Sequence, residues 1–212
     1  MAGKEDLARY WKRTGIIKDE RLFKAFKKIP REKFIEKALL AEAYGDYPLP
    51  IGAGQTISQP TTVMIMTDAL ELKEGDKVLE VGAGSGYQAA IIAEIVGKKG
   101  KVITTEIIPK LAEFSRDNIE KSKIKNVKII EGDGSQGYDK EAPYDRIIVT
   151  AACPSIPQPL VEQLKENGIL LAPVGPYFGQ QMIRLRKKNG KISEESLGGF
   201  MFVPLKGKHG YG

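Results

Sequence analysis

At 212 residues and 42% hydrophobic, the chain can bury one sizeable core, yet it has no apolar run of about eighteen residues, which argues against a transmembrane helix. Its net charge of +6 is spread over scattered lysines with no cluster of arginines and aromatics, so neither nucleic acid nor a membrane is favoured as a partner. A single cysteine, Cys153, excludes an internal disulfide and fits a reducing cytoplasm, and a single histidine, His209, excludes Ser–His hydrolases and histidine metal clusters unless the tail folds back.

The opening MAGKEDLARYWKRTG is charged and amphipathic and lacks the apolar centre of a secretory signal. Residues 5–44 read as helices. Leu7, Tyr10 and Trp11 share a face, and Asp19 is placed to cap a second helix carrying Leu22, Phe23 and Phe26. Phe34, Ile35, Ala38 and Leu39 repeat the spacing, and Ile29-Pro30 separates two of the helices. Residues 44–60, YGDYPLPIGAGQTISQP, show no clear period and read as a long irregular loop, a kind of segment that commonly carries function. Pro60 suits the first turn of a helix through Val63, Met66 and Leu70.

From residue 77 strands and helices alternate. Strands are expected at 77–81, 101–106, 127–131, 145–150 and 168–174, and helices at 86–96, 109–121 and 157–166, with Gly97 and Gly168 near helix ends. The strands are apolar almost throughout, as a sheet buried on both faces requires. QMIRLRKKNGKISEESLGGFMFVPL then alternates around Asn189-Gly190, a type I′ hairpin signal, so the sheet is expected to end in antiparallel strands. The terminal GKHGYG reads as a frayed, solvated tail. The chain is read as one domain over 1–212: a helical arm and substrate loop at 1–59, a ligand-binding core at 60–176, and strands and tail at 177–212. Abundant Lys, Glu and Ile with few Asn lean towards a thermophilic source.

The most informative stretch is Val78-Leu-Glu-Val-Gly-Ala-Gly-Ser-Gly-Tyr87. It joins a buried strand to a helix through a glycine turn, and the next strand ends in Glu106, twenty residues past Gly86. This layout sets an adenosine ligand over the strand ends, where the acid can accept from ribose hydroxyls. A dinucleotide fingerprint needs glycine at 87, where the chain has Tyr87, which disfavours an NAD-dependent oxidoreductase. Gly82, Gly84 and Gly86 behind Glu80 instead resemble motif I of class I S-adenosylmethionine (SAM) methyltransferases.

PREKFI (30–35), YGDYPLPIGAGQTISQP (44–60), LEVGAGSGY (79–87), EGDG (131–134), YDRIIVTAA (144–152), LKENGILLAPVG (164–175) and FVPL (202–205) together resemble the protein-L-isoaspartate O-methyltransferases. The resemblance covers nearly the whole chain and is most specific at GQTIS. It implies a doubly wound, Rossmann-like α/β fold and SAM as cofactor. It also implies methyl transfer to the free α-carboxylate of L-isoaspartyl residues in peptides and age-damaged proteins, by a cytoplasmic monomer using no metal.

On that resemblance Ser58 is the active-site serine, a positioning donor, although a Ser there can also cap the helix that begins at Pro60. Glu80, Gly82, Ala83, Gly84, Ser85, Gly86 and Tyr87 would hold the cofactor. Glu106 would take the ribose, Ile107 the face of adenine, and Asp133, between Gly132 and Gly134, the adenine amino group. Asp133 can also be a plain Asp-Gly turn, and Glu80 can hold the glycine loop rather than approach the methionine ammonium. Gln55, Thr56, Ile57 and Ser58 are expected on one side of the acceptor, and Val203, between Phe202 and Pro204, on the other. Asp145 and Cys153 are expected to be structural. The rival readings are a SAM methyltransferase for a small molecule or RNA, and a SAM-binding module without catalysis.

Overall fold

The computed structural model describes residues 3–211. Two helices open the chain, α1 (Lys4–Thr14) and α2 (Glu20–Lys28). α1 turns Leu7, Ala8 and Trp11 inward, whereas Tyr10, about a quarter-turn from Trp11, lies off that stripe and is exposed. Asp19 caps α2, accepting from the Arg21 amide at 2.8 Å, and the helix ends at Ile29 before Pro30. The helix expected over Phe34–Leu39 is replaced by two 3₁₀ turns, Arg31–Phe34 and Lys37–Glu42, parted by extended backbone at Ile35. Phe34 and Ile35 are buried but Ala38 and Leu40 face solvent, so no apolar stripe exists to hold a longer helix on the core.

Residues 44–60 are more regular than their composition suggests. β1 (Leu49–Gly52) and β2 (Gln55–Ile57) pair antiparallel across a turn with positive φ at Gly52, Ala53 and Gly54. Strands of four and three residues are too short to show a readable alternation. α3 (Pro60–Ala69) follows, with Pro60 in its first turn.

The main sheet comprises β3 (Lys77–Val81), β4 (Lys101–Glu106), β5 (Val127–Glu131), β6 (Tyr144–Val149), β7 (Leu164–Val174), β8 (Gln180–Lys188) and β9 (Lys191–Phe200). Their spatial order is β5-β4-β3-β6-β7-β8-β9, parallel from β5 through β7 and antiparallel over the last three. Asn189 and Gly190 both have positive φ at the β8–β9 turn, the conformation a type I′ hairpin demands. The crossover helices are α4 (Tyr87–Val96) and α5 (Pro109–Lys121). α6 (Gln158–Glu162) is shorter than expected because the chain enters β7 at Leu164. Asn167, at φ 62°, absorbs a register jump from Tyr144↔Leu164 to Arg146↔Ile169, so the Asn-Gly read as a helix end is an irregularity within a strand.

Strand alternation divides the core. Val78, Val102, Ile148 and Ile169 pack with α1 to α5 on one face, while Leu79, Ile103, Ile147 and Leu170 pack with Leu160 of α6 and Leu205 on the other. This is the doubly wound, Rossmann-like α/β architecture. β5 and β9, at the sheet edges, are half-buried and largely exposed, so burial on both faces belongs to the inner strands. The helical arm is stitched to the core by the Trp11 indole, which donates to Thr61 Oγ1 at 2.8 Å. No helix among the described residues is long and apolar enough to cross a membrane.

The tail is not frayed. The Lys208 amide donates to Asp133 at 2.9 Å, the His209 amide to Ser135 Oγ at 3.1 Å, and the Tyr211 hydroxyl to the Gly175 carbonyl at 2.5 Å. Fold-back of a short glycine-containing tail depends on partners 36 to 75 residues away, which no local pattern encodes.

Candidate active site

Parallel strands leave their carboxyl ends open, and the strand order reverses between β3 and β6, where crossovers on the two sides diverge. There the structure has an open cleft. Its floor is the turn between β3 and α4. Gly82, Gly84 and Gly86 all have positive φ, and a side chain on Gly82 would stand 2.5 Å from Thr150 Oγ1. The turn is held from outside, since the Gly82 and Ala83 amides each donate to the Thr105 carbonyl at 2.9 Å. Asn118 Nδ2 donates to the Ser85 carbonyl at 3.0 Å.

Glu106 ends β4 and is buried. One carboxylate oxygen accepts from the Gly84 amide at 2.9 Å and the other from the Ile108 amide at 3.0 Å. Each oxygen keeps a second lone pair for a ligand in the cleft. Ile107 beside it is exposed at the wall, an apolar surface facing the same space.

Glu80 lies on the cleft floor, fully buried, with neither carboxylate oxygen hydrogen-bonded. It does not hold the glycine loop; Glu106 does. Burial disfavours its charged form, the nearby Thr104 hydroxyl opposes this without closing a hydrogen bond, and the Glu106 charge adds to it, so the carboxyl is pushed up to about 8. Tyr87 opens α4 with its ring in the wall, packed 5.4 Å from the Phe34 ring of the arm, and its hydroxyl is buried without a partner.

The substrate loop reaches the same cleft. Gln55, Thr56 and Ile57 of β2 line it, as does Ser58, which follows β2 directly. Ser58 does not cap α3. Asp46 performs that task from twelve residues upstream of Ser58, accepting from the Thr61 amide at 2.9 Å and the Thr61 hydroxyl at 2.6 Å. Val203 also lines the cleft, in an extended stretch stitched to the segment after β6: the Ala152 amide donates to its carbonyl at 2.8 Å, and the Leu205 amide to the Ala152 carbonyl at 2.7 Å. FMFVPL is therefore not a core strand, because β9 ends at Phe200.

Of the residues singled out in the sequence, Ala83, Ser85 and Gly134 also line the cleft, while Gly86, Gly132 and Asp133 do not. The Asp133 carboxylate accepts from the Ser135 amide and hydroxyl, from Gln136 Nε2 and from the Lys208 amide, and these bonds hold it below its usual range against the effect of burial. Asp145 accepts from the Lys77 amide and from Lys165 Nζ, both at 2.8 Å, and Cys153 is buried and pushed up to about 12, so both are structural. Thr150, Gln88, Met66, Leu205 and Lys206 line the cleft without having been foreseen. Thr150 was findable, because it ends the strand beside β3 at the point where the order reverses. The others depend on tertiary folding.

The comparisons agree with this geometry. The family model described as protein-L-isoaspartate(D-aspartate) O-methyltransferase matches residues 2–210. A protein-L-isoaspartate O-methyltransferase of Pyrococcus horikoshii is 49% identical, covering 100% of this chain and 99% of its own. One of Methanococcus aeolicus is 53% identical over 93% of this chain and 91% of its own. A crystal structure from Plasmodium falciparum, described as a protein-L-isoaspartate O-methyltransferase in complex with S-adenosyl-L-homocysteine, superposes with a TM-score of 0.83 at 32% identity, covering 97% of this chain and 99% of that one. A cleft at the strand reversal, floored by Gly82 and Gly84 and walled by the GQTIS loop, thus sits in a chain that belongs to the protein-L-isoaspartate(D-aspartate) O-methyltransferase family.

Proposed function

We propose that this cleft methylates the free α-carboxylate of L-isoaspartyl residues, with SAM held over residues 80–87 and the acceptor guided in beside Ser58. The residues fit such a donor. Gly82 and Gly84 present bare backbone to the cleft, so a ligand can approach the turn closely, and Glu80 offers a buried, unpaired carboxyl to an ammonium group. When bound, the sulfonium supplies an already activated methyl group.

The acceptor needs no general base, because an α-carboxyl with a pKa of about 3.5 is ionised at neutral pH. The chain's task is to orient, desolvate and align. Glu106 fixes the ribose and Ile107 covers adenine. Asp133, outside the cleft and already accepting from Ser135, Gln136 and the Lys208 amide, is not counted among the groups that hold the donor. Ser58 donates one hydrogen bond to the acceptor carboxylate, and Val203 closes the other side with backbone groups, which suits an enzyme that must accept many sequences. The substrates are isoaspartyl peptides and age-damaged proteins, met in the cytoplasm by a monomer.

The observation that carries this reading is that Ser58, relieved of capping by Asp46, faces the same cleft as the glycine turn. Ser58→Ala should lower kcat on an isoaspartyl peptide by about tenfold or more, with the melting temperature unchanged and the aspartyl twin peptide inert. Turnover at the wild-type level would refute the role of Ser58, and equal methylation of both peptides would refute the acceptor.

A further inference from the structure

The acceptor is a polypeptide, so its chain must leave the cleft on both sides of the modified residue. On the Val203 side it meets an aromatic surface. The loop joining β7 to β8 carries Tyr177 and Phe178, which are 51% and 77% exposed, and Met201, two residues before Val203, is 76% exposed. Exposed apolar side chains scattered singly need no explanation, but three on segments joined to the Val203 stretch do.

The loop that carries the two aromatics is tied to the segment that carries Met201 and Val203. Gln180, 1% exposed, clamps the loop: its Nε2 donates to the Pro176 and Tyr177 carbonyls at 2.8 and 3.0 Å, and its Oε1 accepts from the Phe202 amide at 3.0 Å. Gln180 also pairs with Phe200 across the β8–β9 ladder, which brings the loop and Met201 to one end of the sheet. The Tyr177 ring meets Phe178 edge-on at 5.0 Å and Tyr211 at 5.6 Å. Tyr211 in turn donates its amide to the carbonyl of Leu205, a cleft residue, at 3.1 Å.

We propose that Tyr177, Phe178 and Met201 form a subsite for an apolar side chain flanking the isoaspartyl residue, so that the enzyme favours damage in hydrophobic segments made accessible by unfolding. The occupant follows from continuity: the surface is an extension of the wall along which the acceptor chain must run. Backbone hydrogen bonds give tolerance of sequence, whereas this subsite adds a graded preference. The proposal rests on Val203 being an acceptor wall.

The test is a ratio. Two isoaspartyl peptides, identical except for Leu or Ser at the positions flanking the isoaspartyl residue, are compared by kcat/KM. The Leu peptide should win by about five- to tenfold through KM, the scale of partly burying one such side chain. In Tyr177→Ser/Phe178→Ser and in Met201→Ser that ratio should fall towards one, while Phe178→Leu keeps it. S-adenosylhomocysteine affinity, measured by calorimetry, shows that each variant is folded. A wild-type ratio near one, or a ratio unmoved in the variants, overturns the subsite. So does a wild-type dimer in sedimentation that the double variant abolishes, because a second copy would then own the surface. The underlying wall is tested separately: Val203→Pro should raise KM for both peptides alike, and an unchanged KM refutes the wall whatever the ratio.

Discussion

Glu80 and Gly82 carry the least replaceable chemistry on the cleft floor. Burial makes Glu80 hold its proton up to about 8, whereas an unfolded chain releases it near about 4.3. The folded state therefore binds the proton more tightly, and the stability this group contributes is complete below the unfolded value and lost as pH rises towards 8. Glu80→Gln removes that dependence. Its melting temperature relative to wild type, without ligand, should climb between pH 5 and 8 and level off above; a constant difference across that range would sink the assignment. Gly82 sits at φ 102° with Thr150 Oγ1 where a methyl would go. Gly82→Ala should cost about 1–3 kcal/mol in chemical denaturation and weaken S-adenosylhomocysteine binding. Motif and spacing announced both residues, but that Glu80 would be orphaned and Glu106 would hold the loop was not legible. Carboxylates in adjacent strands look alike until the strands are paired.

Elements show the same division between what is local and what is not. α4, α5 and the Asn189-Gly190 hairpin were readable because caps, periodicity and turn chemistry lie within their own sequence. The β1–β2 hairpin was not, because its strands are too short to show alternation, and the truncated α6 and the ordered tail were not, since each is decided by a distant partner: Asp133 and Ser135 for the tail, and the register of β6 for the start of β7. α3 is the instructive intermediate. Its Pro60 start was plain, but its cap comes from Asp46, which also accepts from the Thr61 hydroxyl that receives the Trp11 indole bond. Asp46→Ala should lower stability by about 1–2 kcal/mol, read by denaturant titration, with a smaller effect if water replaces the carboxylate. A loss of kcat with unchanged stability would contradict the capping role.

At the scale of the molecule the arm and the sheet are one packing unit. Trp11, Phe26 and Phe34 are fully buried in the same cluster as Val78 and Val102, and Phe34 touches Tyr87 of the cleft wall. Trp11 is the sole tryptophan, so its fluorescence reports the arm while far-ultraviolet circular dichroism reports the whole. The two unfolding curves should coincide, and S-adenosylhomocysteine should shift both equally. An earlier fluorescence transition would show the arm detaching first.

The division of labour between Asp46 and Ser58 has an evolutionary side. With the orphan amide of α3 served from a remote carboxylate, residue 58 bears no structural duty, so its hydroxyl can be traded for other small groups while the scaffold stays intact. Acceptor preference in such a chain is free to drift at one position, insulated from the melting point.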